Sequence, residues 1–491
     1  MNVAAEVAPL DRWDSRRGRW SWTLLVRGGS LAAIVIALAV GAALGEPRAI
    51  AVAVPGLALG LVLVRRSSRA DERRFLLGLF LAAFALRVVA AVASHFVLGS
   101  LGRGGFLLLD DRAYDKLGWT LAGVWMGIFP GVRESDEYLL VNYTYLVAII
   151  YYLMGYSLLA AKMLNVAFGA LLAVVVYAIG AEVLGRRTAR VAAVITAFFP
   201  SLVAWSVLNL KDILVVLLAA VAVLGLLRYA RRHEWWALVL ALAAFMGLEN
   251  LRQFVFFILG WLMPIGFLFA DRSHVSRKVV LLAPLVVGVI AINLLTHNGS
   301  YGLNWLTARG LSAAEWTRFL AETNAQTGIE TEPVKPVKDN STIVQRSIAY
   351  LPKGVFYALF GPLPWDARSG LAMAAIPEML AWYALLAAAL LGLKLSFRRH
   401  WRDLVLPMGF AAGWVVALAL TEGNTGNIFR HRSMIMPFVF LVAAVGLLWL
   451  RDRWQASRAP RPQALAGTAG DPPALGRAGP GTADERLSSA P

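Results

Sequence analysis

What most constrains this chain is a succession of apolar runs of membrane-crossing length. A helix needs roughly 20 mostly apolar residues to cross about 30 Å of hydrocarbon. Such runs fall near 24–44, 48–64, 75–98, 158–181, 189–208, 212–230, 235–249, 254–270, 279–296, 372–393, 403–421 and 433–450. The runs at 48–64 and 235–249 are short and read as tilted or broken spans. The expected fold is therefore all-α and polytopic, with about 12 transmembrane helices and short helices in the long outer loops. Composition agrees: 59% of residues are hydrophobic and 16% charged, which excludes a water-soluble globular enzyme.

Charge then sorts the loops. Cytoplasmic loops carry the excess of Lys and Arg, and here alternate loops are basic: Arg12, Arg16, Arg17 and Arg19; Arg65, Arg66, Arg69, Arg73 and Arg74; Arg186, Arg187 and Arg190; Arg231 and Arg232; Arg272, Arg277 and Lys278; Arg398, Arg399 and Arg402; Arg451 and Arg453. Under the twelve-span count all lie on one side. Both termini are then expected in the cytoplasm, in a bacterial inner or plasma membrane, and the opposite face receives loops 99–157, 297–371 and 422–432. Most of the formal charge of +17 is thus an orientation signal, and nucleic acid is not an expected partner. The first 20 residues lead into a long apolar run without a small-residue cleavage site, so they read as a cytoplasmic segment, 1–23, before an uncleaved span. Residues 454–491, rich in Ala, Gly, Pro and Arg, read as a disordered cytoplasmic tail.

Chemistry has few places to sit. There is no cysteine, which excludes disulfides, thiolate zinc sites and cysteine nucleophiles. The six histidines are scattered without HExxH spacing, and no Gly-rich nucleotide loop is present. No cofactor is called for; an Asp pair alone is compatible with a divalent ion but gives no support for one. That pair, Asp110 and Asp111, opens the stretch FLLLDDRAYDKLGWTLAGVW, where Tyr114, Leu117, Leu121 and Val124 recur at helical spacing. One reading makes an Asp the helix N-cap. The other makes it a general base at the membrane surface.

Ionisable groups at span ends are costly and so are functional candidates. Lys211 and Asp212 interrupt SVLNLKDILVV, and Glu249 and Arg252 interrupt MGLENLRQFVFF; adjacent opposite charges also read as self-neutralised pairs. Lys162 in LLAAKMLNVAFG either snorkels to the interface or serves a site. Cations gather on the outer face where the orientation rule does not want them: Arg346 and Lys353 in QRSIAYLPKGVF, and Arg430, His431 and Arg432 in GNTGNIFRHRSMIMPF. Such a cluster asks for an anion, and the Arg fork suits phosphate. The aromatic, Pro-broken segment GVFYALFGPLPW at 354–365 reads as interfacial or re-entrant and suited to gripping a lipid chain. NGS at 298–300 and NST at 340–342 match a glycosylation tripeptide.

Together these residues resemble the GT-C superfamily of polytopic glycosyltransferases, in particular the family 39-like protein O-mannosyltransferases and bacterial aminoarabinose transferases acting on lipid A. The resemblance is carried by Asp110, Asp111 and Tyr114, by the run from NYTYLVAIIYYLMGYSLLAAKMLNVAFG to FFPSLVAWS, by LNLKDILVVLLAAVAVLGLLRYARR, and less distinctively by NIFRHRSMIMPF. It covers residues 75–270 well. The family usually has a proline pair where this chain has Tyr143 and Thr144, and an arginine where it has Lys162. It implies a GT-C-like catalytic module over 65–453, preceded by two additional helices at 24–64. It further implies an inverting hexosyl or pentosyl transferase moving a sugar from a polyprenyl-phosphate donor to a hydroxyl of a lipid, polysaccharide or protein acceptor on the extracytoplasmic side. Asp110 or Asp111 would be the base. Lys211, Arg252, Arg346, Lys353, Arg430, Arg432 and His431 would face the donor phosphate, and Tyr114, Tyr143, Lys162, Asp212 and Glu249 would line the substrate site. Two alternatives stay open: a lipid-linked saccharide flippase or transporter, and a polysaccharide polymerase or ligase.

Overall fold

The structure, a computed structural model, describes residues 19–67, 70–133, 142–297, 340–366, 370–422 and 425–458. The N-terminal segment, NGS at 298–300 and the tail beyond residue 458 lie outside these residues. The chain divides into two units, Met1–Trp449 and Leu450–Pro491. In the first, α1 (Arg19–Ala43), α2 (Arg48–Ser67) and α3 (Ala70–Leu98) precede a π-turn at Gly99–Arg103. Two shorter helices follow in the first long loop, α4 (Leu109–Trp125) and α5 (Asn142–Met154). Next come α6 (Leu158–Val183), α7 (Arg186–Phe198), α8 (Pro200–Ser206), α9 (Asp212–Arg232), α10 (Trp235–Leu248), α11 (Gln253–Ala270) and α12 (Val275–His297). The remaining helices are α13 (Asn340–Phe360), α14 (Gly370–Thr421), α15 (Thr425–His431) and α16 (Met436–Arg458), the last continuing into the second unit. Among the described residues there is no strand.

Among the described residues seven helices are long and apolar enough to cross a membrane, or nine if two bent pairs each make one span. Twelve are not reached on this criterion. The bent pairs are α7 with α8, at 55°, where Pro200 starts a new helix, and the Thr425–Met434 segment with α16, at 68°. The 14-residue α10 is shorter than a spanning helix. The expected spans near 372–393 and 403–421 fall in one helix, α14. Yet Met379 Sδ lies 3.0 Å from Arg432 Nη1, and Trp414 Nε1 donates to the His431 carbonyl at 3.0 Å. A straight helix would put Met379 and Trp414 about 52 Å apart at 1.5 Å per residue, so α14 doubles back between them, across the charged SFRRHWRD stretch.

The centre of the unit is α9, 83% of whose apolar window is enclosed, with α6 beside it. Small residues permit the tightest crossings. A Cβ on Gly392 of α14 would sit 1.8 Å from the Val442 carbonyl oxygen of α16, and one on Gly446 would sit 2.1 Å from that of Ala388; such backbone approach tolerates only glycine. Entry into α6 is fixed by Ser157, whose hydroxyl oxygen accepts the Ala160 N–H at 3.1 Å and whose O–H donates to Glu46 at 2.5 Å.

Candidate functional site

Helix α4 begins after Leu108, which makes no side-chain cap, so the reading of an Asp as N-cap is not met; both acids instead occupy the first turn, where the helix dipole favours them. The two then part company. Asp111 is fully buried, and its carboxylate accepts the N–H groups of Leu107 at 3.2 Å and Asn209 at 3.0 Å, tying the start of α4 to the α8–α9 turn. Burial pushes its carboxyl up, against the opposing pull of Lys162 and these N–H groups. Asp110 is more than half exposed, at 57%, and accepts a 2.6 Å hydrogen bond from Arg430 Nη1.

From Asp110 a line of alternating charge runs inward. Arg430 also donates from Nε and Nη2 to Asp212 Oδ2, at 2.8 and 2.5 Å, and Arg252 Nη2 donates to Asp212 Oδ1 at 3.1 Å. Asp212 is fully buried, so both arginines are needed to compensate it. Local structure explains the convergence: Asp212 opens α9, Arg252 is the residue before α11, and Arg430 lies in the last turn of the short helix α15. The Arg252 guanidinium lies 5.8 Å from the Trp414 ring centroid. Lys211 sits with its ammonium 5.8 Å from the centre of the Tyr114 ring, and burial with Arg252 nearby pulls it down to about 8. Tyr114 packs edge-on against Tyr143 at 5.5 Å, and burial raises its phenol.

The other expected residues take varied places. Lys162 does not snorkel: it is fully buried and donates to the Gly105 carbonyl at 2.6 Å. Tyr143 donates to Asn209 at 2.6 Å and accepts from Asn165 at 2.9 Å, filling with polar contacts a place where the family usually has proline. His431 Nδ1 is 3.1 Å from Glu422 Oε1. Arg432, also fully buried, donates to the carbonyls of Ala358 and Gly361, with Met379 sulfur at 3.0 Å. It therefore holds the 354–365 segment, which is the end of α13 and its following turn, against α14. Glu249 caps the end of α10, and burial raises its carboxyl. Arg346 and Lys353 are half-buried on α13.

Sequence reading missed the cluster around Asp115, whose carboxylate accepts from Tyr151 at 2.5 Å and Tyr156 at 3.1 Å; burial pushes it up to about 6. Its one signal was the i, i+4 relation to Asp111 on α4, which places both acids on one face. Among the described residues no three His, Asp or Glu side chains gather as a metal-binding group.

An all-helical membrane protein with a cation-rich, carboxylate-bridged site at the start of its central helix is the class so defined. Residues 141–296 match the family model described as dolichyl-phosphate-mannose-protein mannosyltransferase. That match, from just before α5 through α12, bears out the resemblance read from the sequence, to the GT-C superfamily of membrane glycosyltransferases; Asp212 and Arg252 lie inside it, Asp110 and Arg430 outside. No curated protein matches the chain. Among solved structures, the archaeal oligosaccharyltransferase AglB from Archaeoglobus fulgidus, in complex with an inhibitory peptide and a dolichol-phosphate, aligns at 14% identity and a TM-score of 0.44. The alignment covers 80% of this chain and 52% of AglB, so the chain spans about half the length of that structure.

Proposed function

We propose that the protein transfers a sugar from a polyprenyl-phosphate donor to an acceptor hydroxyl on the extracytoplasmic face, with Asp110 as general base and Asp111 as a structural anchor. The observation that carries this is the contrast within the pair. Asp110 is exposed and held by Arg430, whereas the buried Asp111 carboxylate has its oxygens taken up by backbone N–H groups. A base must be within hydrogen-bond reach of the proton it removes, and only the exposed acid offers that.

In this reading Asp110 takes the acceptor hydroxyl proton, the oxygen attacks the anomeric carbon with inversion, and the carbon–oxygen bond to the lipid phosphate breaks. Negative charge gathers on the leaving phosphate, where Lys211 is placed to stabilise it and Arg430, held between Asp110 and Asp212, adds positive charge behind Asp110. Asp212 acts on Arg430 as a positioning residue. Arg432, with its guanidinium given over to carbonyls and sulfur, drops out as a phosphate ligand and becomes structural. Which sugar and which acceptor class are used is a matter for product analysis.

The test compares Asp110→Asn with Asp111→Asn in proteoliposomes supplied with polyprenyl-phosphate sugar, alongside mass analysis of envelope glycans and lipids with and without the protein. Asp110→Asn is expected to lower transfer by about 10²- to 10⁴-fold, the usual worth of a general base, while the protein stays folded. Full transfer by Asp110→Asn sinks the assignment. Movement of the donor lipid between leaflets without any transfer product would favour the flippase reading.

A further inference from the structure

At the far end of α6 and α9 from Asp110 lies a second polar cavity, of about 330 Å³, that the transfer reaction does not use. Five helices wall it: the end of α2 gives Arg66, the start of α3 Glu72, the second half of α6 Tyr177 and Glu182, the start of α7 Arg186, and the end of α9 Arg228 and Arg232. Arg228 follows Asp212 by sixteen residues of one helix, a rise of about 24 Å, so this cavity is distinct from the site described above.

Its charges do not cancel. Four arginines face two glutamates. Glu182 is shared by Arg228, whose Nε lies 3.4 Å away, and by Arg232; Glu72 takes Arg186 Nε at 2.6 Å. Both carboxylates are turned inward, with side chains 8% and 11% exposed, and Arg228 is 16% exposed, while Arg186 and Arg232 reach from the cavity toward solvent. Within the lining a surplus of two positive charges remains, reduced to one where Glu234, outside the lining, comes within 3.8 Å of Arg232. Arg228 Nε adds a sharper sign: it is buried, its approach to Glu182 is too poorly aligned for a hydrogen bond, and among the described residues it has no other acceptor. A buried donor left without an acceptor is destabilising, and an anionic oxygen in the cavity would relieve that cost.

We propose that this cavity binds a phosphate-bearing anion, which at the ends of membrane helices is most simply the headgroup of an anionic phospholipid. Guanidinium forks recognise phosphate oxygens two at a time. Arg66, Arg186 and Arg232 belong to the basic loops that the orientation rule puts on the cytoplasmic side, with Arg228 one turn before Arg232 on the same helix; there anionic lipids concentrate and basic pockets between helices hold their headgroups. Orientation alone needs only charge outside the membrane; it does not require four guanidinium groups around one cavity.

The experiment measures the unfolding temperature of the full chain in neutral detergent on adding dihexanoyl-phosphatidylglycerol, dihexanoyl-phosphatidylcholine or sodium phosphate. The anionic lipid is expected to raise the midpoint by several degrees, as binding to the folded state must, with little effect of the zwitterionic lipid. Arg66→Gln and Arg228→Gln should each remove at least half of that rise. Arg66 lies at the exposed end of α2, so its variant keeps the test alive should Arg228→Gln fail to fold. An equal rise with sodium phosphate assigns the site to free phosphate, and a rise with the anionic lipid alone assigns it to a headgroup. No rise with either, or the same rise in both variants as in the parent, overturns the proposal. Because transfer is not measured, the result stands apart from the fate of Asp110.

Discussion

Helix α9 carries arginine and carboxylate at both ends, arranged in opposite ways. At its start the groups form a line, Asp110–Arg430–Asp212–Arg252, in which one buried acid is flanked by two cations and the outermost acid is left exposed. At its other end Arg228 and Arg232 converge on Glu182, cations outnumber acids, and the Arg232 side chain is 46% exposed. The same residue types thus hold an exposed acid at one end and leave an unbalanced positive cavity at the other. Burial and order decide which, because a buried charge demands its partners whereas an exposed pair is worth little.

That contrast can be broken at several points. The largest effect is expected from Asp212→Asn, which takes from Arg252 its carboxylate partner and leaves Arg430 with Asp110 alone, and should cost about 3–5 kcal/mol, the range for breaking a buried pair. Glu182→Gln should cost less than that, since of its two partners Arg228 is buried but Arg232 is half solvated. Thermal unfolding of the two variants side by side decides, and equal losses would erase the distinction. A smaller effect separates the ends by pH. Lys211, pulled down to about 8 by burial, loses its proton as pH rises through that value, so donor KM should climb between pH 7 and 9. Lys211→Arg should flatten the profile, because arginine stays charged. The all-arginine cavity should bind its anion equally at both pH values. The smallest effect is that of salt: raising it from about 0.05 to 0.5 M shortens screening to a few ångströms and should weaken anion binding at the Arg228 cavity while leaving the buried Asp212 pairs, and hence the folding of the site, nearly unchanged.

Much of this was legible in the sequence, and the rest was hidden for definite reasons. Apolar runs placed the long helices, though not twelve spans, because bilayer thickness sets a length that a spanning helix must meet, and the spacing of Tyr114, Leu117 and Leu121 announced α4, where all three are buried. The Asp pair and the Arg430 cluster stood out because charge beside hydrocarbon is expensive. Their partnership did not, since 320 residues separate Asp110 from Arg430. Nor could sequence part Arg430 from Arg432. The helix ends at His431 and a 3₁₀ turn runs from Arg432 to Met434, so neighbouring arginines leave in different directions, one to carboxylates and one to carbonyls. Lys162 was unreadable for a similar reason: its acceptor is a backbone carbonyl, that of Gly105, and no side-chain pattern marks it.

The line of charge at the start of α9 also has an order in time. Synthesis runs from the N-terminus, so Asp110 and Asp212 enter the membrane long before Arg430, which follows Asp212 by 218 residues. A nascent chain that has delivered every earlier span still holds Asp212 with only one of its two cations and Asp110 with no clasp. The segment around residue 430 therefore completes the line of charge as well as the fold, and a chain released short of it would hold Asp212 by Arg252 alone.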